Sequence, residues 1–272
     1  MSSITPAEVD GLVAEITAAK KYRDMDLVQT TVRDLFDKEL ALNHPPKEAI
    51  KAVKKKLHNI VAPYLGDPDY PVAALALEQA CATHDPQTIR DACSAILKTH
   101  ASTHERLPIM DRFYSSLFAV TGKPATILDL ACGLHPFSFP WMDLPASTAY
   151  YAYDIHRPRV RLINNFFELM NMRPLSSARD ILIDPPAQSA DVAFFFKEAH
   201  RFEQRQRGCN RAFWQALNVR WLLVSLPTSS LSGKHDLVDR QRRLVGEALE
   251  GLPWLVTEVL VATELVFCIH KG

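Results

Sequence analysis

Apolar residues recur at intervals of three and four along the first 120 positions of the chain. Two series show these intervals most clearly: Val9, Leu12, Val13 and Ile16, and Val53, Leu57, Ile60 and Val61. This spacing places apolar side chains on one face of a helix. Proline-containing turn sequences interrupt the pattern at 45–46, 66–68 and 85–86. The pattern predicts that residues 1–120 form a bundle of short helices.

After residues 121–124 the chain changes to short apolar runs separated by segments of helix length. The runs are 125–131, 149–154, 191–196, 220–226 and 254–270, and the clearest helical segments are 157–172 and 202–217. Strands that alternate with helices predict βαβ units and a mostly parallel sheet. The last run is interrupted at 262–263, which predicts a terminal antiparallel hairpin. We therefore expect an α/β protein whose sheet lies in a second domain, 121–272.

Composition excludes several classes of protein. The chain has 272 residues, 47% of them hydrophobic, but it has no apolar stretch of 18 residues and no signal-like start, so we expect a cytoplasmic protein. Its five cysteines are an odd number without a C-x-x-C pair, which disfavours a disulfide framework and a zinc site. The 31 basic and 31 acidic residues cancel, so any contact with nucleic acid has to depend on local patches.

Acidic residues stand at the predicted ends of successive strands. Asp129 precedes a turn that contains Ala131 and Gly133, Asp154 ends the second strand, and Asp180 follows a short β-like segment. A residue without Cβ lets the backbone approach a ligand at this edge of a parallel sheet. The single glycine does not satisfy the G-x-G-x-x-G pattern, which disfavours a dinucleotide.

Carboxylates in this order suit a ligand that carries ribose and adenine but no phosphate. One carboxylate can accept hydrogen bonds from the two ribose hydroxyls, and another can accept one from the adenine amino group. S-adenosylmethionine fits this description. Each acid taken singly is better explained as a solvated loop residue, and it is the ordered set that favours the cofactor.

Two stretches of sequence carry a resemblance to a known family. They are 100–107, HASTHERL, and 128–137, LDLACGLHPF. They resemble the aminoglycoside-resistance 16S rRNA (guanine-N7) methyltransferases of the Arm/Rmt type, and the similarity extends over nearly the whole chain. The resemblance implies a class I methyltransferase with a Rossmann-like sheet and an N-terminal all-helical domain that binds RNA or the ribosome.

The resemblance also implies an activity. A monomer would methylate N7 of guanosine 1405 in the decoding site of the assembled 30S subunit. This modification would give resistance to 4,6-disubstituted deoxystreptamine aminoglycosides. Guanine N7 carries an in-plane lone pair and no proton, so its methylation needs alignment of the two reactants and no general base. We therefore nominate no catalytic acid or base.

The resemblance implies which residues contact the cofactor. Arg106 would pair with the methionine carboxylate, which a guanidinium can bind through two hydrogen bonds. The remaining implied contacts are Gly133 against the cofactor, Asp154 on the ribose, Asp180 on the adenine, Ile155 and Ile181 packed on the base, and Tyr64 closing the pocket. The alternative for Arg106 is a surface ion pair with Glu105 or Asp111.

The chain departs from the family pattern at four places. It has His135 in place of Asn, Leu226 in place of Phe, and the polar segment 197–200 in place of an apolar run. Residues 234–239 replace a basic, Gly- and Met-containing segment near the target base. These departures leave open a divergent homologue that binds cofactor and RNA or the ribosome but methylates another base or catalyses weakly.

Amino-group methylation is the rival chemistry. It is suggested by the sequence Asp184, Pro185 and Pro186, because such a motif can hold an exocyclic amine. Two features count against this motif. Ala187 stands at the position where the motif needs an aromatic residue. The motif also precedes the apolar run 191–196, whereas such a motif is expected at the end of a strand. An ordinary loop turn explains these residues better.

Two local patches carry net positive charge. Residues 47–58 hold five lysines and one Glu, and residues 197–211 hold five basic residues and two Glu. Such patches neutralise RNA phosphates, although a lysine run on a helix is more often a solvated face. With the resemblance we expect RNA contacts at Lys20, Lys21, Arg33, Lys54, Lys55, Lys56, Arg201 and Lys234. His135, His156 and His200 are separated and lack partner ligands, so no metal is expected.

Overall fold

Short helices fill the first half of the chain, as the spacing of apolar residues predicts. They are α1 (Pro6–Ala18), α2 (Lys20–Arg23), α3 (Gln29–Ala41), α4 (Pro46–Val61), α5 (Tyr70–Ala82), α6 (Pro86–Leu97), α7 (Ala101–His104) and α8 (Met110–Thr121). Side chains cap several of the starts. Thr5 and Glu8 form a capping box on α1, and Asp85 accepts the Thr88 N–H at the start of α6 at 2.8 Å.

The computed structural model describes residues 5–23, 26–42, 44–61, 66–229 and 236–272. Tyr64 and Lys234, for which the sequence predicts contacts with cofactor and RNA, lie outside the described residues. Lys20 and Lys21 lie in α2, but their side chains are outside what is described.

Within the described residues one sheet of seven strands occupies the second half of the chain. The strands are β1 (Thr126–Leu130), β2 (Ala149–Asp154), β3 (Ser176–Ala178), β4 (Ala190–Phe196), β5 (Val219–Pro227), β6 (Leu255–Val261) and β7 (Glu264–His270). Their order is β3-β2-β1-β4-β5-β7-β6, and β7 runs antiparallel to β5 and β6. The predicted hairpin is confirmed, and the turn between β6 and β7 contains Ala262 with a φ of 53°.

The order of the strands reverses between β1 and β4, each of which lies at the centre of the sheet. Both are parallel to their neighbours, so the carboxyl ends of β1, β2 and β4 meet at one edge. In open α/β sheets, ligands bind beyond the carboxyl ends of the strands at such a reversal. The topology therefore places Asp129 and Asp154 at the expected position of a binding site.

Four helices in the described part of the second half connect successive strands along the chain: α9 (Arg157–Leu169), α10 (Ala199–Arg205), α11 (Cys209–Ala216) and α12 (Val238–Leu249). The prediction of one helix over 202–217 is wrong. Gly208 adopts a left-handed φ of 76° between α10 and α11. The Glu203 carboxylate accepts the N–H of Gly208 at 2.6 Å and that of Asn210 at 3.3 Å, which stabilises a break at this point.

The helices of the first half pack in two groups. Buried residues of α5, α6 and α8, such as Phe113 and Leu117, belong to the same apolar cluster as one face of the sheet. Buried residues of α1, α3 and α4 form a separate cluster that includes Val32, Phe36 and Leu57. We call α1 to α4 the helical body. The predicted domain boundary at residue 120 stays a prediction.

The helical body lies against the carboxyl end of β2. The Val28 N–H donates to the Ile155 carbonyl at 3.0 Å, and Leu27 pairs with His156 as an isolated β-bridge. The Ile155 side chain packs against the apolar cluster of the body. Because Ile155 directly follows β2, the body covers part of the sheet edge at which the strands end.

Candidate functional site

Two adjoining clefts open beyond the carboxyl ends of β1, β2 and β4. The large cleft has a volume of about 250 Å³ and the small cleft one of about 20 Å³. Ala131 and Glu198 line both, so the clefts meet between these two residues. All the predicted cofactor residues that the structure describes line the clefts: Asp154, Ile155, Asp180 and Ile181 the large one, Arg106, Asp129 and Gly133 the small one, and Ala131 both.

The turn after β1 holds the backbone in a left-handed conformation. Ala131 has a φ of 52° and Gly133 one of 55°. The Cys132 N–H donates to the Tyr153 carbonyl at 2.9 Å, which ties the turn to β2. Positive φ is costly for a residue with a Cβ, yet it recurs at Lys197, where φ is 62° after β4. Two of the seven non-glycine residues that have a positive φ in the described ranges therefore border the clefts.

Asp154 is buried at the end of β2, and donors surround its carboxylate. The Gly133 N–H donates to Oδ2 at 3.0 Å and the His156 N–H to Oδ1 at 2.8 Å. Nη1 of Arg159 lies 3.0 Å from each of the two oxygens. Nη2 of Arg159 donates to Asp67 at 2.7 Å, so a buried guanidinium links Asp154 to the chain before α5. These bonds hold the Asp154 carboxylate in one orientation at the large cleft.

Arg106 is buried beside the small cleft and pairs with Glu264. Its Nε donates to Oε2 of Glu264 at 3.1 Å, and its Nη2 bonds the other oxygen. The guanidinium also lies over the rings of Phe113 and Phe196, at 4.5 and 4.8 Å from their centroids. Burial acts to raise the pKa of Glu264, but Arg106 and Lys197 outweigh burial and hold that pKa below its usual range. Glu264 is therefore ionised at neutral pH.

A surface ion pair for Arg106, the alternative considered from the sequence, is wrong. Arg106 is 2% exposed, and Glu105 accepts a hydrogen bond from Nζ of Lys197 at 2.7 Å instead. The Nε and Nη2 atoms of Arg106 bond Glu264, and Nη1 has no partner among the residues that the structure describes. Arg106 thus retains a donor for a ligand in the small cleft.

Asp129 anchors a buried series of polar groups. Its Oδ2 accepts hydrogen bonds from His135 Nδ1 and from the Tyr150 hydroxyl, each at 2.8 Å. The Nε2 of His135 lies 2.7 Å from the Tyr114 hydroxyl. The other oxygen of Asp129 has no partner in the described part of the chain. The small cleft therefore offers a donor on Arg106 and an acceptor on Asp129, as the zwitterionic end of an amino acid requires.

The large cleft lies between the sheet and the helical body. Ile155 and Ile181 supply apolar surface on the side of the sheet. The helical body contributes Leu35, Lys56, Asn59 and Ile60. The third wall comes from α10 and the turn before it, and consists of Glu198, His200, Arg201, Phe202, Gln204 and Arg205. Burial and the charges of Arg201 and Arg240 lower the pKa of His200 to about 4, so this wall carries a neutral imidazole at pH 7.

Sequence analysis missed several charged groups of the clefts. Glu264 pairs with a residue 158 positions earlier in the chain, and such a distance cannot be inferred from local spacing. Lys197 and Glu198 directly follow β4, and both are buried. A signal was present in each case, because an ionisable residue begins or directly follows an apolar run that becomes a strand. Arg205 was counted only as one charge of a patch, but it bonds Asp180 at 2.7 Å.

The structure divides the predicted RNA-binding residues into two groups. Lys54 and Lys55 are exposed on α4. The others that can be described are in ion pairs: Arg33 with Asp10, Lys56 with Glu39 at 2.5 Å, and Arg201 with Glu198 at 3.1 Å. Lys54 and Lys55 are therefore the best placed to contact a phosphate.

Other candidate chemistries receive no support from the placement of their residues. Asp184 and the two prolines after it lie in the loop between β3 and β4, and Asp184 pairs with Arg179 at 3.3 Å. Among the residues described, His, Cys, Asp and Glu side chains form no group of three that could hold a metal ion. No helix in those same ranges is long and apolar enough to cross a membrane.

The family model described as "Ribosomal RNA methyltransferase (FmrO)" matches residues 18–268. The chain belongs to this family. The resemblance carried by 100–107 and 128–137 is thereby confirmed. A 16S rRNA (guanine(1405)-N(7))-methyltransferase of Frankia casuarinae is 31% identical over 260 residues, which cover 94% of this chain and 92% of that protein. A protein of the same name from Micromonospora echinospora is 30% identical over 277 residues, which cover the full length of both chains.

Solved structures of rRNA methylases share the fold of this FmrO-family protein. The 16S rRNA methyltransferase RmtF, in complex with S-adenosyl-L-homocysteine, superposes on this chain with a TM-score of 0.79 at 27% identity. The superposition covers 99% of this chain and 100% of the RmtF chain. The 16S rRNA methylase RmtB gives a TM-score of 0.77 at 28% identity, with 98% and 100% covered. The predicted class I, Rossmann-like fold is confirmed.

Three of the departures from the family pattern lie in described parts of this FmrO-family protein. His135 is buried in the polar series on Asp129, and Leu226 is buried in β5. The polar segment 197–200 lines the clefts through Lys197, Glu198 and His200. Of residues 234–239, those from 236 onward are described, and they lead into α12.

Proposed function

We propose that this chain transfers the methyl group of S-adenosylmethionine to N7 of guanosine 1405 in 16S rRNA of the assembled 30S subunit. The observation that carries the proposal is the pair of clefts: the small cleft offers a donor on Arg106 and an acceptor on Asp129, and the adjoining large cleft is apolar. The chain is also related over its full length to a protein named 16S rRNA (guanine(1405)-N(7))-methyltransferase. We further propose that it works as a cytoplasmic monomer without a metal, and that residues 1–120 dock on the RNA.

The residues fit the cofactor at both of its ends. The Nη1 of Arg106 would receive the methionine carboxylate, and the free oxygen of Asp129 would accept from the ammonium group. Asp154 would accept from the ribose hydroxyls, and the adenine would lie between Ile155 and Ile181 in the large cleft, a volume of about 250 Å³. Gly133 and Ala131 would let the backbone approach the cofactor where the clefts meet.

The chemistry follows from the electronic structure of the target. The bound cofactor supplies a methyl group on a sulfonium, and guanine N7 supplies a lone pair without a proton to remove. The chain's own residues therefore bind and orient, and the rate gain comes from alignment. Glu198 and Ala131 border the point at which the two clefts meet, so the methyl group would be presented there.

Purified 30S subunits and labelled S-adenosylmethionine test the proposal directly. We expect one methyl group per subunit, at guanosine 1405, mapped as a reverse-transcription stop after borohydride reduction and aniline cleavage. Subunits already methylated at that nucleotide are the matched control and should take up no label. A methyl group at another base contradicts the target. No methyl group at all contradicts the enzyme and supports a protein that only binds RNA or the ribosome.

Resistance is the expected consequence in cells. An N7 methyl group fixes a positive charge on the guanine and removes a major-groove acceptor. Cells that express the active protein should therefore grow in gentamicin and kanamycin at concentrations that stop control cells. An Asp129→Asn variant, which alters the small cleft, is the matched control and should leave the cells sensitive.

Charge reversal at Lys54 and Lys55 should weaken binding to the 30S subunit and leave cofactor affinity unchanged. Both side chains are exposed on α4, whereas Lys56 is held by Glu39. Each lost phosphate contact should reduce the slope of log K against log salt by about one unit. Filter binding over a salt series measures the slope. Lys98→Glu with Arg112→Glu makes the same charge change away from the helical body, and equal effects of the two pairs would contradict the docking surface.

A further inference from the structure

His200 lies in the wall of the large cleft, and its imidazole ring makes no hydrogen bond with any residue that the structure describes. Nδ1 is closed to solvent, whereas Nε2 is not. A buried N–H group without an acceptor is rarer in proteins than a buried acceptor without a donor. We therefore assign the proton to Nε2, which leaves His200 with an unpaired N–H donor at the cleft.

The surroundings of this ring keep it neutral and show on which side of the cleft it lies. Burial and the positive charges of Arg201 and Arg240 lower the pKa of His200 to about 4. Arg240 belongs to α12, which follows β5, and His200 itself follows β4, the neighbour of β5. Ile155 and Ile181 follow β2 and β3, on the other side of β1. His200 therefore lies on the β5 side of the large cleft, away from the two isoleucines.

The backbone keeps His200 close to the point at which the methyl group would be presented. Glu198 borders the meeting of the two clefts, and His200 is two residues further along the chain. Two steps between consecutive Cα atoms span at most about 7.6 Å. The proposed cofactor runs from the small cleft to Ile155 and Ile181, so the side of the large cleft nearest β5 remains for the target base. His200 stands on that side.

We infer that His200 recognises O6 of the target guanine by donating its Nε2–H, while N7 of the same base faces the methyl group. The inference rests on the proposed methylation of guanosine 1405. The edge of guanine that carries N7 also carries O6, and both atoms are acceptors. A guanidinium on this edge binds both atoms and would block N7, whereas a neutral imidazole has one N–H to donate and leaves N7 free. Adenine carries an amino group in place of O6, so a donor would face a donor.

A donor without charge also suits the reaction that the base undergoes. Methylation at N7 leaves a positive charge on the guanine, and a cation held against the same edge would oppose that charge. The cationic side chains on either side of His200 in the sequence are bound to carboxylates. Nζ of Lys197 donates to Glu105 at 2.7 Å, and Nη1 of Arg201 donates to Glu198 at 3.1 Å. His200 lies in the polar segment 197–200 that departs from the family pattern, so the contact would be a property of this chain.

Subunits reconstituted with 2,6-diaminopurine at position 1405 test the inference, because this base keeps N7 and carries an amino group in place of O6. Initial rates with labelled S-adenosylmethionine give kcat/KM for each kind of subunit. The wild-type chain should prefer guanosine by about tenfold or more. His200→Leu should lose about tenfold on guanosine and little on diaminopurine, so its preference should fall by the same factor. His200→Gln keeps an N–H donor and should recover part of the preference.

Calorimetry with S-adenosylhomocysteine separates recognition of the base from an effect on the cofactor or the fold, since both His200 variants should bind it as the wild-type chain does. His104→Leu is the matched control, because His104 is exposed at the end of α7 and should leave the preference intact. Equal rates of the wild-type chain on the two kinds of subunit would overturn the inference, as would an undiminished preference in His200→Leu or weaker cofactor binding in both variants. A wild-type chain that leaves guanosine 1405 unmethylated would instead contradict the proposed function.

Discussion

Exchange of Arg106 for methionine is expected to lower the free energy of unfolding by about 3–5 kcal/mol. Arg106 is 2% exposed and its partner Glu264 is 3% exposed. Loss of the guanidinium leaves the Glu264 carboxylate buried, with Nζ of Lys197 as a cation 3.8 Å away. The same exchange removes the donor proposed for the methionine carboxylate, so cofactor affinity should fall by about 100-fold.

A double variant separates the two effects of this exchange. Arg106→Met with Glu264→Gln leaves no uncompensated charge from the pair, so it should regain most of the lost stability while cofactor affinity stays low. Urea unfolding and calorimetry with S-adenosylhomocysteine measure the two quantities. Lys123→Met breaks an exposed pair with Asp143 and should change neither. Wild-type cofactor affinity in the Arg106 single variant would contradict the role assigned to its guanidinium.

Asp154→Ala should weaken cofactor binding by at least about 30-fold, since two hydrogen bonds to a charged acceptor are lost. The loss should be specific to the ribose. The wild-type chain should prefer S-adenosylhomocysteine to its 2′-deoxy analogue, and the variant should bind the two alike. The exchange also leaves Arg159 with Asp67 as its carboxylate partner, so thermal unfolding should be measured in parallel.

Asp191 offers a matched control for Asp154. It lies near the start of β4, at the opposite edge of the sheet, and accepts the backbone N–H groups of Ala125 and Thr126 at 2.9 Å. Asp191→Ala removes an acidic side chain of the same size without touching the clefts, so it should leave the preference for the ribose intact. A preference that survives in Asp154→Ala would contradict the assignment of the ribose to the second strand end.

Most strands of this fold were predictable because they fall in short apolar runs with abrupt boundaries, whereas β3, Ser176–Ala178, is not apolar. Asp129 and Asp154 were found for the same reason, since an acid at the end of an apolar run is conspicuous. The break at Gly208 was not found, because apolar residues on both sides of it keep a helical spacing. The partners of Asp180 and Arg106 were not found either, since Thr31 and Glu264 come from distant segments. Local pattern thus locates the site but leaves out the ion pairs that shape it.

Helix α4 is both a wall of the large cleft and an outer surface of the described structure. Lys56, Asn59 and Ile60 face the cleft, while Lys54 and Lys55 are exposed on the same helix. In the proposed docking, an RNA on the outer surface would bind the same helix that forms a wall of the cofactor cleft. Binding of the ribosomal subunit and binding of S-adenosylmethionine would then be coupled through α4, and each would change the affinity for the other by the same factor.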